Sequence, residues 1–543
     1  MRARLLLIAA LVTACGTAAP PVLPATHVVW EYPSPAAKHG GFSPAADIWL
    51  RLEGPALDTA NLPLDFAASP TAPISVEAGG KLVPYRVTYE PKRGLLALHL
   101  RKGLGEQEAV HVRYHSSLRN VAGGPIERLT QMGQTGEFTY TTSAVQSLYA
   151  AADAASKAIR RVDAAPFTVF APVALPSGKP VTALADRLPS FGWGIEAGGP
   201  DAPLTGLAAV VYGRVTLAAF RRADGTLPED PARWTARGES VPFMLALPAE
   251  GALPHPVVVF GHGYTACKET LLGVAAQFAR EGLALLAIDA VGHGERAGLN
   301  AQCGLMLTAG FGFDIVTIAG SFFDTIQQTR QLMALAPEIA SRIDVAPADG
   351  APDLAADAVG YLGQSMGAIN GVAVASLEPR VKAAVINVGL GGIAASLFSR
   401  GDDKVPGAAF EPSGVLDVAS SLDLAAKLYE PLNFIAGLAG KYVLVQQAEL
   451  DELIPPLGSE YLALALDALQ ETGKPRAIAG LRSAEFPPKS PGGRHFRSVF
   501  ADATHIFLIK NQGDATAAAQ RQAARFLRTA LSGGPLDVPA TRP

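Results

Sequence analysis

The stretch from Ala358 to Val374, AVGYLGQSMGAINGVAV, constrains this chain more than any other. It reads as an apolar strand, a turn over Gly363-Gln364-Ser365-Met366-Gly367 and an apolar helix. That is a G-x-S-x-G pentapeptide in a strand–turn–helix setting, the nucleophile elbow. The turn must lift the Ser365 hydroxyl out of the backbone. Positions two before and two after the serine then face each other, so Gly363 and Gly367 are read as elbow glycines that remove a side-chain collision. The following helix aims its N-terminus at the serine and leaves the Met366 N–H for a negative oxygen. A chain with 55 glycines reaches such a pentapeptide by chance rather easily, so its weight depends on the other parts.

A length of 543 residues exceeds one hydrophobic core and predicts two or three domains. A hydrophobic content of 49% is ample for packed domains. The net charge of −4, with no long basic run, gives nucleic-acid binding no electrostatic support.

The N-terminus addresses the compartment. Arg2 and Arg4 precede an apolar run, Leu5 to Val12, too short to span a bilayer. Val12-Thr13-Ala14-Cys15 resembles a bacterial lipobox, which implies a signal peptide over 1–15, lipidation at Cys15 and a membrane anchor through that lipid. Gly16 supplies no acidic retention signal, so the resemblance implies an outer-membrane or cell-surface lipoprotein. Residues 16–28 read as a Pro/Ala/Thr-rich tether. Cys267 and Cys303 then remain, as one disulfide or as two buried thiols.

Residues 29–143 predict an immunoglobulin-like β-sandwich. Short strands such as Asp47–Leu52, Lys81–Tyr89, Leu95–Leu100 and Ala109–Tyr114 are separated by Gly/Pro clusters. His111 and His115 read as solvent-facing strand residues rather than metal ligands. Residues 144–240 read as a linker subdomain. From 241 to 535 strands alternate with helices, the pattern of a doubly wound, mostly parallel sheet.

The remaining chemistry comes in chain order. Gly261-His262-Gly263-Tyr264 ends a buried strand, and the backbone of Gly263 or Tyr264 is the second oxyanion donor beside Met366. The next strand ends in Asp289-Ala290-Val291-Gly292-His293-Gly294, where His293 reads as structural because the catalytic histidine comes last in this chain order. Asp451, in a strand-end loop followed by Ile454-Pro455, is the predicted acid, with Glu449 and Glu452 as rivals. His505, after the last strand, is the predicted base, with His495 as its rival.

These parts together resemble the α/β-hydrolase superfamily, Ser365, Asp451 and His505 forming the catalytic set. The segments VVYGRVTLAAF, ESVPFMLALP and HPVVVFGHG, with Asp349 to Leu354 before the elbow strand, resemble bacterial virulence-factor-type extracellular lipases. That resemblance implies a surface lipoprotein with an N-terminal β-domain and a lipase or lysophospholipase domain. Gln364 departs from it, since histidine is usual there. Insertions like 389–440 form helical caps in the superfamily, and an apolar cap favours an acyl chain. The expected activity is hydrolysis of carboxyl esters or lipids, with no metal and no organic cofactor. Asp349 and Asp353 offer too few ligands for Ca²⁺. A peptidase, a polyester depolymerase and an inert surface adhesion protein are the alternatives. The partner of the β-domain is left open.

Overall fold

The computed structural model describes residues 23–33, 42–128, 136–170, 204–297 apart from 224 and 229, 303, 315–345, 348–398, 426–472, 492–510 and 512–539. The expected leader, Cys15 and most of the tether lie outside them. No helix of the described residues is long and apolar enough to cross a membrane.

Among the described residues nine strands come first: β1 (Thr26–Tyr32), β2 (Ile48–Glu53), β3 (Ile74–Ala78), β4 (Lys81–Leu82), β5 (Tyr85–Glu90), β6 (Leu95–Leu100), β7 (Ala109–Tyr114), β8 (Ile126–Arg128) and β9 (Glu137–Thr141). They form two small sheets, ordered β5-β6-β2-β1-β8 and β4-β3-β7-β9. All pairings are antiparallel except β1 with β8. Alternation decides which side chains face inward. Ile48, Leu50, Leu96 and Leu98 of one sheet and Ile74, Val76, Val110 and Val112 of the other share one core. His111 meets Thr139 and His115 meets Ser75, so the two histidines serve different neighbours.

The chain continues through α1 (Val145–Ser156), β10 (Arg161–Val162), β11 (Thr168–Phe170), β12 (Leu207–Ala219), β13 (Arg237–Pro248), β14 (His255–Gly261), α2 (Leu272–Arg280), β15 (Ala284–Ile288), α3 (Ile315–Ala340), β16 (Leu354–Gln364), α4 (Met366–Leu377), β17 (Val381–Asn387), α5 (Ile393–Phe398), β18 (Tyr442–Ala448), α6 (Pro456–Ala465), β19 (Leu469–Thr472), β20 (His495–Phe500) and α7 (Asp514–Ser532). Among the described residues these strands make one sheet, ordered β10-β12-β13-β15-β14-β16-β17-β18-β20-β19, with β11 beside β12. From β15 to β19 every neighbour pair is parallel. Apolar runs such as VVVF in β14 suit a strand covered on both faces. Val257 and Val259 feed the core shared with α3 and α4, and Val258 and Phe260 feed the core shared with α2 and α7.

Two expectations change. The region 144–240 is not a separate subdomain, because β10, β11 and β12 belong to the large sheet. β12 pairs with β13 from Leu207 opposite Pro248 to Ala219 opposite Arg237. Val210 and Tyr212 enter one core and Val211, Val215 and Leu217 the other, so a strand apolar on both sides is buried only inside a two-sided sheet. The described part of 389–440 also differs from a cap. Leu432, Phe434, Ile435 and Leu438 are buried in the main core, and Gly437 abuts Ser376 at the far end of α4. These apolar residues are covered by the body rather than spread over a pocket. The predicted piece Val415–Leu428 lies mostly outside the described residues.

Candidate active site

β16 ends at Gln364 and α4 begins at Met366, so Ser365 is the whole junction. Its φ of 56° and ψ of −119° are unusual for a residue with a side chain. Holding such a backbone costs about 1–3 kcal/mol, and surrounding contacts must enforce it. Ser365 N–H donates to Asn387 O of β17 at 3.0 Å. A Cβ on Gly363 would sit 2.4 Å from Gly367 O, and one on Gly367 would sit 2.0 Å from Gly261 O. The first glycine therefore clears the turn itself. The second lets the elbow approach β14. Beneath them the Tyr361 hydroxyl donates to Gly367 O at 2.6 Å.

The structure brings the three predicted polar residues together. The Ser365 hydroxyl lies 2.7 Å from His505 Nε2. His505 Nδ1 lies 2.9 and 2.8 Å from the two Asp451 carboxylate oxygens. Asp451 is fixed in turn, because its Oδ1 accepts the N–H groups of Leu453 at 2.9 Å and Ile454 at 2.7 Å. With Nδ1–H donating to a carboxylate, Nε2 carries the lone pair that can take the serine proton. All three side chains are buried. The rivals have other positions. Glu449 accepts from Gln447, Glu452 accepts from the His505 backbone N–H at 3.4 Å, and His495 contacts the carbonyls of Leu466 and Leu438.

Of the predicted oxyanion groups, Met366 and Gly263 lie next to the serine. The first helical bonds of α4 are donated by Ala368 and Ile369 to Ser365 O, so the Met366 N–H lies ahead of that ladder. Gly263 sits against the elbow: a Cβ there would lie 3.3 Å from Ser365 Cβ and 2.3 Å from Gln364 Oε1. Tyr264, next along, is half-exposed. The loop is pinned by His262, whose Nε2 accepts the Ala290 N–H at 2.9 Å. Its Nδ1 must then carry the hydrogen, donated to Gly263 O at 2.8 Å. Burial lowers its pKa and keeps the ring neutral. His293, read as structural, donates from Nδ1 to Val291 O at 3.0 Å. Burial, then neighbouring His262, brings its pKa down to about 3.

Two of the contacts around the site, those of Gln364 and Lys268, were not visible in the sequence. Gln364 Nε2 donates to His505 O at 3.2 Å, tying the histidine loop to the elbow. Lys268 is fully buried, with Nζ at 2.7 Å from Glu295, 2.9 Å from Glu269 and 3.1 Å from Asp289. Burial alone would lower its pKa, but the three carboxylates raise it instead. Burial pushes Glu269 up to about 7. Asp289 also accepts the backbone N–H groups of Lys268 and Glu295, so the D-x-x-G-H-G pattern is part of an ionic box beside the loop that carries His262 and Gly263. A Cβ on Gly294 would fall 2.5 Å from the Asp289 carboxylate, which explains that glycine. Nothing local marks this box, because Lys268 and Glu269 stand together in the sequence as an ordinary pair of charged residues. Cys267 and Cys303 are bonded, with Cα atoms 4.8 Å apart, so the loop after Tyr264 is covalently tied to residue 303. Asp349 accepts the Ala351 N–H and Asp353 accepts the Val345 N–H, both local backbone bonds.

No protein-family model matches the chain, and no curated protein matches it. Solved structures to which it is similar include acetyl xylan esterase 1 from Thermoanaerobacterium, with 14% identity over 69% of this chain and 92% of that one and a TM-score of 0.36. The 2,6-dihydroxy-pseudo-oxynicotine hydrolase shows 17% identity over 55% of this chain and 68% of that one, TM-score 0.34. Est1E from Butyrivibrio proteoclasticus shows 12% over 58% and 99%, TM-score 0.33. At such identities no residue's role passes from one protein to another.

Proposed function

We propose that this protein is a serine hydrolase of carboxyl esters, of lipase, esterase or lysophospholipase type, on an α/β-hydrolase fold with an immunoglobulin-like N-terminal domain. One observation carries the reading: at the strained elbow the Ser365 hydroxyl, the His505 ring and the Asp451 carboxylate are hydrogen-bonded in series. Ser365 Oγ attacks the ester carbonyl while His505 Nε2 takes its proton. The carbonyl electron pair moves to oxygen, where the N–H groups of Met366 and of Gly263 or Tyr264 receive it. Collapse breaks the C–O bond, and His505 returns the proton to the leaving alcohol. Water, deprotonated by His505, then releases the acid and frees the serine. Asp451 holds the tautomer throughout.

The test is labelling by a fluorophosphonate probe. Wild-type protein should label and Ser365→Ala should not. Hydrolysis of p-nitrophenyl esters should fall by at least about 10³-fold in Ser365→Ala. An unlabelled wild type would refute the hydrolase reading, and labelling that survives in Ser365→Ala would move the nucleophile elsewhere. Phospholipid, polyester and peptide panels sort the acyl class. The lipobox resemblance supports a lipid-anchored, exported protein of the outer membrane or cell surface. Incorporation of a radiolabelled fatty acid that survives in Cys15→Ala would refute that part.

A further inference from the structure

The N-terminal β-domain is gripped by two stretches of the catalytic domain, and both flank β18 and its acid loop. On one side, Asn433 Nδ2 donates to Ser43 Oγ at 3.0 Å, Ala45 N–H donates to Asn433 Oδ1 at 2.8 Å and Gly103 N–H donates to Leu432 O at 3.0 Å. On the other, Arg101 pairs with Asp467 and reaches Leu464 O. Between them lies Arg86 of β5. It is buried, and its Nε donates to the Tyr461 hydroxyl at 2.9 Å, joined by Nη2. The guanidinium also stacks 4.4 Å from the Tyr461 ring centroid, with the Phe66 ring at 5.5 Å. A buried cation held by one phenol oxygen and two ring faces is tolerated only at close fit. It therefore fixes Tyr461 rather than merely touching it.

Tyr461 belongs to α6, which starts five residues after Asp451. The helix start is bonded to the elbow side of the sheet: Ser459 Oγ donates to Gly389 O at 2.6 Å, and Gly391 N–H donates to Gly458 O at 2.9 Å. Beside Tyr461, Glu460 lies 3.7 Å from Arg497 of β20. Arg497 donates to Gln447 Oε1 at 3.1 and 2.8 Å, and Gln447 Nε2 donates to Glu449 at 2.5 Å. Two sets of polar contacts, one from Arg86 to Tyr461 and one from Glu460 through Arg497 and Gln447 to Glu449, thus meet at adjacent residues of α6, and the second ends two residues before Asp451.

We propose that Arg86 is a positioning residue for the acid loop: through Tyr461 and α6 the β-domain holds Asp451 in register with His505. The β-domain is then part of the hydrolytic machinery rather than an independent adhesion module. This inference rests on the hydrolase reading above.

The experiment uses the full chain and two variants, Arg86→Met and Tyr461→Phe. The first removes the buried charge with its partner bond and the second keeps the ring and removes only the hydroxyl, so each loses the contact in a different way, and a thermal melt of each shows it folded before its rates are read. Active sites are counted by fluorophosphonate titration, and kcat, KM and the pH profile of kcat/KM are measured on p-nitrophenyl acetate well below each melting temperature. A displacement of the acid loop should lower kcat per titrated site by about tenfold, with KM changed less than twofold. The acid limb of the profile should also move, because Asp451 no longer stabilises the His505 cation fully. Arg86→Lys should recover part of the loss. Unchanged kcat per site and an unmoved limb in Tyr461→Phe, with only a lower melting temperature, would overturn the proposal. A wild type that does not titrate at all would instead refute the hydrolase reading.

Discussion

At the scale of single residues, the site depends on which groups are charged. Asp451 outcompetes Glu449 and Glu452 because it alone reaches His505 Nδ1 while two backbone N–H groups hold its carboxylate. His262 and His293 behave oppositely to a catalytic base, since both are buried neutral. His293 has a folded pKa of about 3 against 6.5 for the free ring. The unfolded chain therefore takes up more protons between those values. The resulting stability is fully present above about pH 6.5 and is lost as pH falls toward 3, a term on the order of 5 kcal/mol over the whole window. His293→Asn removes that titration. Urea melts between pH 8 and pH 4 should show a shallower loss of stability in the variant, and an unchanged slope would contradict the assignment.

At the scale of elements, the junction of β16, α4 and β14 is the least adjustable part. Gly367 approaches Gly261 O so closely that Gly367→Ala places a methyl carbon 2.0 Å from a backbone oxygen in the middle of the sheet. Neither β14 nor α4 can retreat without breaking its own ladder. The variant should lose at least about 3 kcal/mol. Gly440→Ala is the matched control, since nothing lies within 4 Å of its Cβ position, and it should stay within about 0.5 kcal/mol. Thermal melts of both variants separate a steric elbow from a general intolerance of alanine.

At the scale of the whole molecule, the β-domain and the large sheet are joined by buried contacts, and the loop after Tyr264 is tied by a disulfide. The Cys267–Cys303 link closes a span of 36 residues. Restricting a loop of that length in the unfolded chain stabilises by about 3–4 kcal/mol, so the double variant Cys267→Ser, Cys303→Ser should be less stable by that much. Equal denaturant midpoints with and without reductant would contradict it.

The sequence alone determined the elements and the order of the site. The grouping of Ser365, Asp451 and His505 was legible because a strand–turn–helix and two strand-end loops place these residue types where their side chains can meet. The two-sided sheet was legible in apolar runs such as VVVF. Only the tertiary structure decided the partnerships. Nothing local in β12 says that it joins the large sheet, because burial on both faces depends on layers supplied by distant parts of the chain. Nothing in LNFIAGL says that these residues fill the core rather than cover a pocket. Arg86 reads as an ordinary strand cation until folding brings Tyr461, 375 residues later, onto its guanidinium. The elbow at Ser365 is a local consequence of its glycines. What holds its helpers in place is long-range packing, which no spacing along the chain encodes.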